Sequence, residues 1–160
     1  VTDVLVASDA DWVIEEVAAA LSDPDTSLRV VHAGSDVRGA VGAQTPDLVI
    51  LDLQIGNMGG MATCIDLRLE ESGGRLPHVP VLMLLDRQAD LFLARRSDAE
   101  GWLVKPLDAF RLKMAAMKLL AGETMYEEPE PPAPEPAATD AAEDAGEQSG
   151  EPEGDDSEVA

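Results

Sequence analysis

The sequence predicts a doubly wound α/β fold, a five-stranded parallel sheet of order 2-1-3-4-5 with helices on both faces. Three observations carry this expectation. Short apolar runs alternate with longer amphipathic ones five times between Val1 and Gly122. The run Leu48-Val49-Ile50-Leu51 is apolar without alternation, the mark of a strand buried on both faces as in a parallel sheet. Five βα units in a row can be wound in few ways once handedness and loop rules apply, and 2-1-3-4-5 is a common order for five strands.

Each element has its own signal. Val4 to Ala7 is the first strand, ended by Ser8-Asp9. Asp11 is a candidate N-cap for a helix from Trp12 to about Leu21, with Ile14, Val17, Ala18 and Leu21 on one face. Ser22-Asp23-Pro24-Asp25 breaks it, and Leu28 to His32 reads as the second strand. Ser35 is a candidate cap for a short helix presenting Val37, Ala40 and Val41. The strand from Leu48 ends at Asp52 and is followed by a loop with Gly56, Gly59 and Gly60, then a helix from about Met61 to Glu71. Gly73-Gly74 and Pro77 precede a strand from Pro80 to Leu85, and a helix is expected over about Ala89 to Ser97. Gly101 to Val104 is the fifth strand, ending at Lys105-Pro106. A helix from Asp108 to about Ala121 closes the domain, with Leu112, Ala115, Ala116 and Leu119 at helical spacing.

The charge divides the chain. It carries 32 acidic and 11 basic residues, a net −21. From Glu127 onward there are thirteen acids, six prolines and no Lys or Arg. Residues 1–122 are therefore read as one domain and 123–160 as a disordered acidic tail, too poor in apolar surface to offset its ordering entropy. Neither part offers the basic surface that binding nucleic acid directly requires. A single cysteine, Cys64, and no long apolar run suit a cytoplasmic protein without membrane insertion. The tail is either a solvating spacer or a salt-sensitive contact for the basic residues of the last two helices, Arg95, Arg96, Arg111, Lys113 and Lys118.

In a fold wound this way ligands sit outside the carboxyl ends of the strands, where the order reverses. Three charged groups converge there: Asp9 after strand 1, Asp52 at the end of strand 3 and Lys105 after strand 5. Crowded carboxylates are relieved by a hard divalent cation, and Mg²⁺ binds through one or two carboxylates plus waters and phosphate oxygens. A carboxylate beside a metal and a lysine can accept a phosphoryl group. Taken singly, each residue also has a plain reading as a turn residue or helix cap. His32 and His78 are isolated, Cys64 reads as a small core residue, and Met114 and Met117 read as helix packing.

The segments VLVASD (Val4 to Asp9), LVILDLQIGNMGG (Leu48 to Gly60) and GWLVKP (Gly101 to Pro106) resemble the receiver domains of bacterial two-component response regulators. The resemblance covers residues 3 to about 121, and the wording of Val81 to Asp108 is similar to an actinobacterial single-domain group. It implies a flavodoxin-like fold and a phosphorelay role rather than enzymatic turnover. The donor would be a sensor histidine kinase or phosphotransfer protein, the signal would pass by protein contact, and no DNA-binding output domain is expected. It implies that Asp52 is the phosphoacceptor, that Asp9, Asp52 and the backbone carbonyl of Gln54 hold Mg²⁺, and that Lys105 pairs with a phosphoryl oxygen. It also implies a Lys105–Pro106 bond that is often cis, and Gly60 at the end of the phosphorylation loop.

Three positions depart from the family pattern. Ser8 stands where a second acid is usual. Leu85 replaces the Thr or Ser whose hydroxyl meets the phosphoryl group, and Asp86 after it adds negative charge. Trp102 holds the place of the switching aromatic. These departures keep a rival open, a pseudo-receiver that works as a phosphorylation-independent interaction module. A metal-dependent phosphatase is weaker, because no second acid is positioned to activate a leaving group.

Overall fold

The computed structural model describes residues 1–128. The elements are β1 (Thr2–Ala7), α1 (Asp11–Ala20), β2 (Thr26–Val31), α2 (Gly34–Ala43), β3 (Leu48–Asp52) and α3 (Gly60–Ser72), followed by β4 (Val81–Leu85), α4 (Leu91–Arg96), β5 (Gly101–Val104), α5 (Ala109–Leu120) and β6 (Met125–Tyr126). All strand pairs are parallel, in the order β2-β1-β3-β4-β5-β6.

The first five strands follow the expected order, and the sixth is a correction. Met125–Tyr126 pairs with β5, so the sheet continues past Gly122, where the sequence reading placed the domain boundary. The expected disorder of the acidic tail falls almost wholly on residues 129–160, outside the described residues.

Alternation along the strands builds two cores. Val4, Val6, Ile50, Leu82, Leu84 and Leu103 face α1 and α5. Leu5, Val49, Leu51, Met83, Leu85 and Trp102 face α2, α3 and α4. Every residue of β3 and β4 is buried, as their unbroken apolar runs require. Burying one such leucine contributes about 1.5–3 kcal/mol, so the strand ends that carry the polar groups are set in a stiff frame.

Helix boundaries differ from the expectation for physical reasons. Asp11 and Ser35 lie inside the first turns of α1 and α2, whose N-caps are Ala10 and Ala33 with no side-chain cap. The amides that begin α2 find tertiary partners instead: Gly34 N–H donates to the Gly56 carbonyl (3.0 Å) and Ser35 N–H to that of Asn57 (2.8 Å). The fourth helix is shorter than expected. A single 3-10 turn, Gln88–Asp90, precedes the six residues of α4, with the Asp90 carboxylate accepting from the Arg87 backbone and guanidinium. Asp108 does cap α5, accepting from Arg111 N–H at 2.8 Å.

Candidate functional site

The register of β1 against β3 pairs Ala7 with Leu51, so Ser8 and Asp52 follow side by side at the carboxyl ends. Asp52 is 2 % exposed. Its Oδ2 accepts from the Ser8 hydroxyl at 2.8 Å, and its Oδ1 accepts from Lys105 Nζ at 2.9 Å and, more weakly, from Gln54 N–H at 3.3 Å. Lys105 directly follows β5, and the bond from it to Pro106 is cis, as the resemblance implied. Its ammonium also meets Asp86 Oδ1 at 2.9 Å. One lysine thus bridges two carboxylates, while Trp12 lies with its ring centre 5.3 Å from the same nitrogen.

Asp9 sits one residue beyond Ser8, and its Oδ2 accepts from Gly56 N–H at 3.0 Å. That bond ties the end of β1 to the loop after β3. The loop is shaped by Asn57 and Met58, both at positive φ, and is closed by Gly60, where a Cβ would stand 2.6 Å from the Asp52 carbonyl oxygen. Gly34 is a loop support that the sequence did not single out. A Cβ there would collide with the Met58 carbonyl oxygen at 1.8 Å.

The site has an electrostatic asymmetry. Burial pulls the Lys105 ammonium toward its neutral form, but hydrogen bonds to Asp52 and then Asp86 outweigh this, and its pKa is raised. Asp86 Oδ2 is buried and without a hydrogen-bond partner among the described residues. The structure therefore brings together Asp52, Ser8, Lys105 and Asp86, with Asp9 against the adjoining loop. The link from Asp86 to Lys105 is invisible in sequence because it joins neighbouring strand ends 19 residues apart.

The donor set can be tested against a metal. Asp9 and Asp52 are the carboxylates at the ends of β1 and β3, with the Gln54 carbonyl on the loop after β3, while Asp86 is held by Lys105. No cluster of three or more His, Cys, Asp or Glu side chains suited to a metal occurs among the described residues. Hard oxygens with only one or two carboxylates fit Mg²⁺, which keeps waters, and do not fit a zinc-type cage.

The two positions where the resemblance implied a switch are apolar. Leu85 is fully buried and offers no hydroxyl. Trp102 is 5 % exposed, with Tyr126 against it at 4.3 Å between ring centres. Cys64 is buried in the core, its thiol pushed up to about 11 by burial. His78 faces Glu71 and Glu100, away from the crevice, while Met114 and Met117 are both exposed rather than packed. A pocket of about 610 Å³ lies at the opposite ends of the strands, by Thr2, Pro80 and Glu100, and does not mark this site.

Comparisons with known proteins agree with this geometry. Residues 4–117 match the family model of the response regulator receiver domain. The chain is 30% identical over 105 residues to the DNA-binding response regulator MtrA of Mycolicibacterium smegmatis, covering 64% of this chain and 43% of that protein. It is also 30% identical over 99 residues to the regulatory protein LuxO of Vibrio cholerae, covering 59% of this chain and 20% of that one. The chain thus spans less than half the length of either relative. Among solved structures, the receiver domain of NtrX from Brucella abortus aligns with a TM-score of 0.66 at 27% identity, over 74% of this chain and 98% of that one. A receiver domain of a Syntrophus aciditrophicus histidine kinase has the same fold, with a TM-score of 0.67 at 22% identity over 76% and 92% of the two chains. With five parallel strands in receiver order and the acid-lysine crevice at their carboxyl ends, the chain belongs to the response regulator receiver domain family of two-component signalling.

Proposed function

We propose that this chain accepts a phosphoryl group on Asp52 and signals by protein contact. The observation that carries the reading is the Asp52–Lys105 ion pair, 2.9 Å long, buried at the point where the sheet reverses its winding. The donor is a phosphohistidine of a sensor histidine kinase or a phosphotransfer protein, in the cytoplasm. An Asp52 oxygen attacks phosphorus in line, the P–N bond breaks, and the imidazole leaves with the electron pair and takes up a proton. Lys105 then holds one phosphoryl oxygen. Asp9, Asp52 and the Gln54 carbonyl are the residues that would hold Mg²⁺, which when bound supplies positive charge against the phosphoryl oxygens. Ser8 contributes a neutral hydroxyl, which keeps Asp52 oriented without adding repulsion.

A second reading is a phosphorylation-independent interaction module. It is favoured by the engagement of both Asp52 oxygens and of Lys105 with the chain's own groups, and by Leu85 in place of a hydroxyl. Intact mass after incubation with Mg²⁺ and phosphoramidate separates the two. A gain of one phosphoryl group, absent in Asp52→Asn, is expected. An unmodified chain under these conditions and with its kinase would leave the second reading standing.

A further inference from the structure

The segment after α5 fills a place on the sheet that the phosphoryl chemistry does not use. Without it β5 would be an edge strand, with free backbone groups open to any extended chain. Met125–Tyr126 takes that edge in parallel register, opposite Gly101 and Trp102. Met125 N–H donates to the Glu100 carbonyl at 3.1 Å and Glu127 N–H to that of Trp102 at 3.3 Å. Gly101 permits the approach. A Cβ there would stand 2.7 Å from the Met125 carbonyl oxygen.

The side chains form three receptors in a row. Trp102 receives the Tyr126 ring at 4.3 Å with a 31° tilt, and its Nε1–H donates to the Glu127 carbonyl at 3.0 Å. Val104 N–H donates to the Glu127 carboxylate at 2.6 Å, and the Arg111 guanidinium pairs with the same carboxylate. Arg111 is aimed in advance by bonds to the Pro106 and Val104 carbonyls. Arg95 on α4 meets Glu128 at 3.3 Å on the outer rim. The order is backbone edge, aromatic platform, basic clamp. This is strand addition with side-chain selection for an aromatic residue followed by carboxylates.

We propose that the β5 edge, with Trp102, Val104 N–H, Arg111 and Arg95, is a binding site for a short extended acidic-aromatic segment, occupied in cis by Met125–Glu128. A partner protein presenting such a segment docks there only when this clip leaves. The ladder of the clip is only two residues long. Charge complementarity names the partner, since the clamp residues are arginines and the resident segment is acidic.

The test uses the full-length chain in a Trp12→Phe background, which leaves Trp102 as the sole indole. Acrylamide quenching reports Trp102, and hydrogen exchange reports the Val104 amide. In the Tyr126→Ala, Glu127→Ala double variant, quenching should rise at least about twofold and Val104 exchange about tenfold or more, as for a locally opened element. Glu127→Gln, which keeps an acceptor for Val104 N–H but loses the ion pair, should move both the same way by less. A synthetic peptide with the sequence of residues 123–130 should restore both readouts in the double variant and leave the parent chain unchanged. The proposal is overturned if the double variant, folded by far-UV circular dichroism, matches the parent. It is equally overturned if the peptide fails to protect the double variant, or binds the parent as well as it binds the variant. Exchange of the segment between two copies, seen as a dimer of the parent chain, would also overturn it. None of these readouts needs phosphorylation, so they stand or fall apart from the role proposed for Asp52.

Discussion

The carboxyl ends of β1 and β3 and those of β4 and β5 share one end of the sheet, yet they keep different amounts of the receiver pattern. At β1 and β3 the acids Asp9 and Asp52 flank a loop closed by Gly60, where an added Cβ would stand 2.6–2.7 Å from the backbone of Asp52 and Leu53. At β4 and β5 the positions where the resemblance implied a hydroxyl and a switching aromatic carry other groups. Leu85 brings no hydroxyl, Asp86 shares Lys105 with Asp52, and Trp102 is covered by Tyr126. The two halves answer to different physics. Acceptance needs only a nucleophile, a counter-charge and a cation site within a few ångströms. Transmission needs a side chain with two positions of similar energy, and here the two sites carry a buried leucine and a tryptophan stacked under Tyr126.

The largest expected effect falls on the first half. Asp52→Asn keeps the shape but has no anionic oxygen to attack phosphorus, so phosphoryl gain with Mg²⁺ and phosphoramidate should vanish by intact mass. Gain that persists in this variant would move the nucleophile elsewhere and dissolve the contrast between the two halves.

Next in size is Asp86. Under the proposed function its carboxylate would repel the incoming anion, and it holds part of the Lys105 ammonium. Asp86→Ala should lower the barrier to phosphoryl uptake by about 1 kcal/mol, roughly fivefold in rate. The side chain is partly exposed, so the effect should weaken in high salt. A slower Asp86→Ala would mean that this carboxylate positions Lys105 rather than competing for it.

The fold was legible where one strand carries its own signal. Leu48–Asp52 shows burial on both faces and a terminal acid in five residues, and Gly101–Lys105 does nearly the same. The sequence misses what depends on distant partners. Asp11 and Ser35 look like caps, but α2 hands its first amides to the carbonyls of Gly56 and Asn57, some twenty residues on. Met125–Tyr126 is too short to show any period and is a strand only because the β5 edge is there to pair with. The acidic segment was set against the basic residues of the last helices by charge alone. Two of those residues, Arg111 and Arg95, meet Glu127 and Glu128, while residues 129–160 lie outside the described residues. Within the site, the Asp9, Asp52 and Lys105 positions were readable from strand ends. The sharing of Lys105 with Asp86 was not, since it depends on the register Leu85↔Val104.

A smaller change sharpens the second half of the comparison. Leu85→Thr places a hydroxyl in a buried apolar setting and should cost about 1–3 kcal/mol of stability in urea unfolding. In exchange it supplies a donor that a phosphoryl oxygen can attract. Beryllofluoride should then change Trp102 fluorescence more in Leu85→Thr than in the parent, both in the Trp12→Phe background. Equal changes would show that another group carries the coupling.

The smallest effect concerns pH, and its sign follows from Lys105. Its pKa is raised because the bonds to Asp52 and Asp86 together outweigh the burial that lowers it. A group whose folded pKa is raised contributes stability that is complete below its unfolded value and is lost as pH climbs through the folded one. The stability owed to the Lys105 bridge should therefore be flat through neutral and mildly alkaline pH and decline only above the ordinary lysine range. Asp86→Ala removes one of the bonds that raise the pKa and leaves the burial in place. The decline should then be shallower and complete at lower pH than in the parent, measured as the alkaline limb of urea-unfolding stability. A limb that stays put in Asp86→Ala would mean that Asp52 alone holds the ammonium charged, and that the bridge to β4 is electrostatically idle.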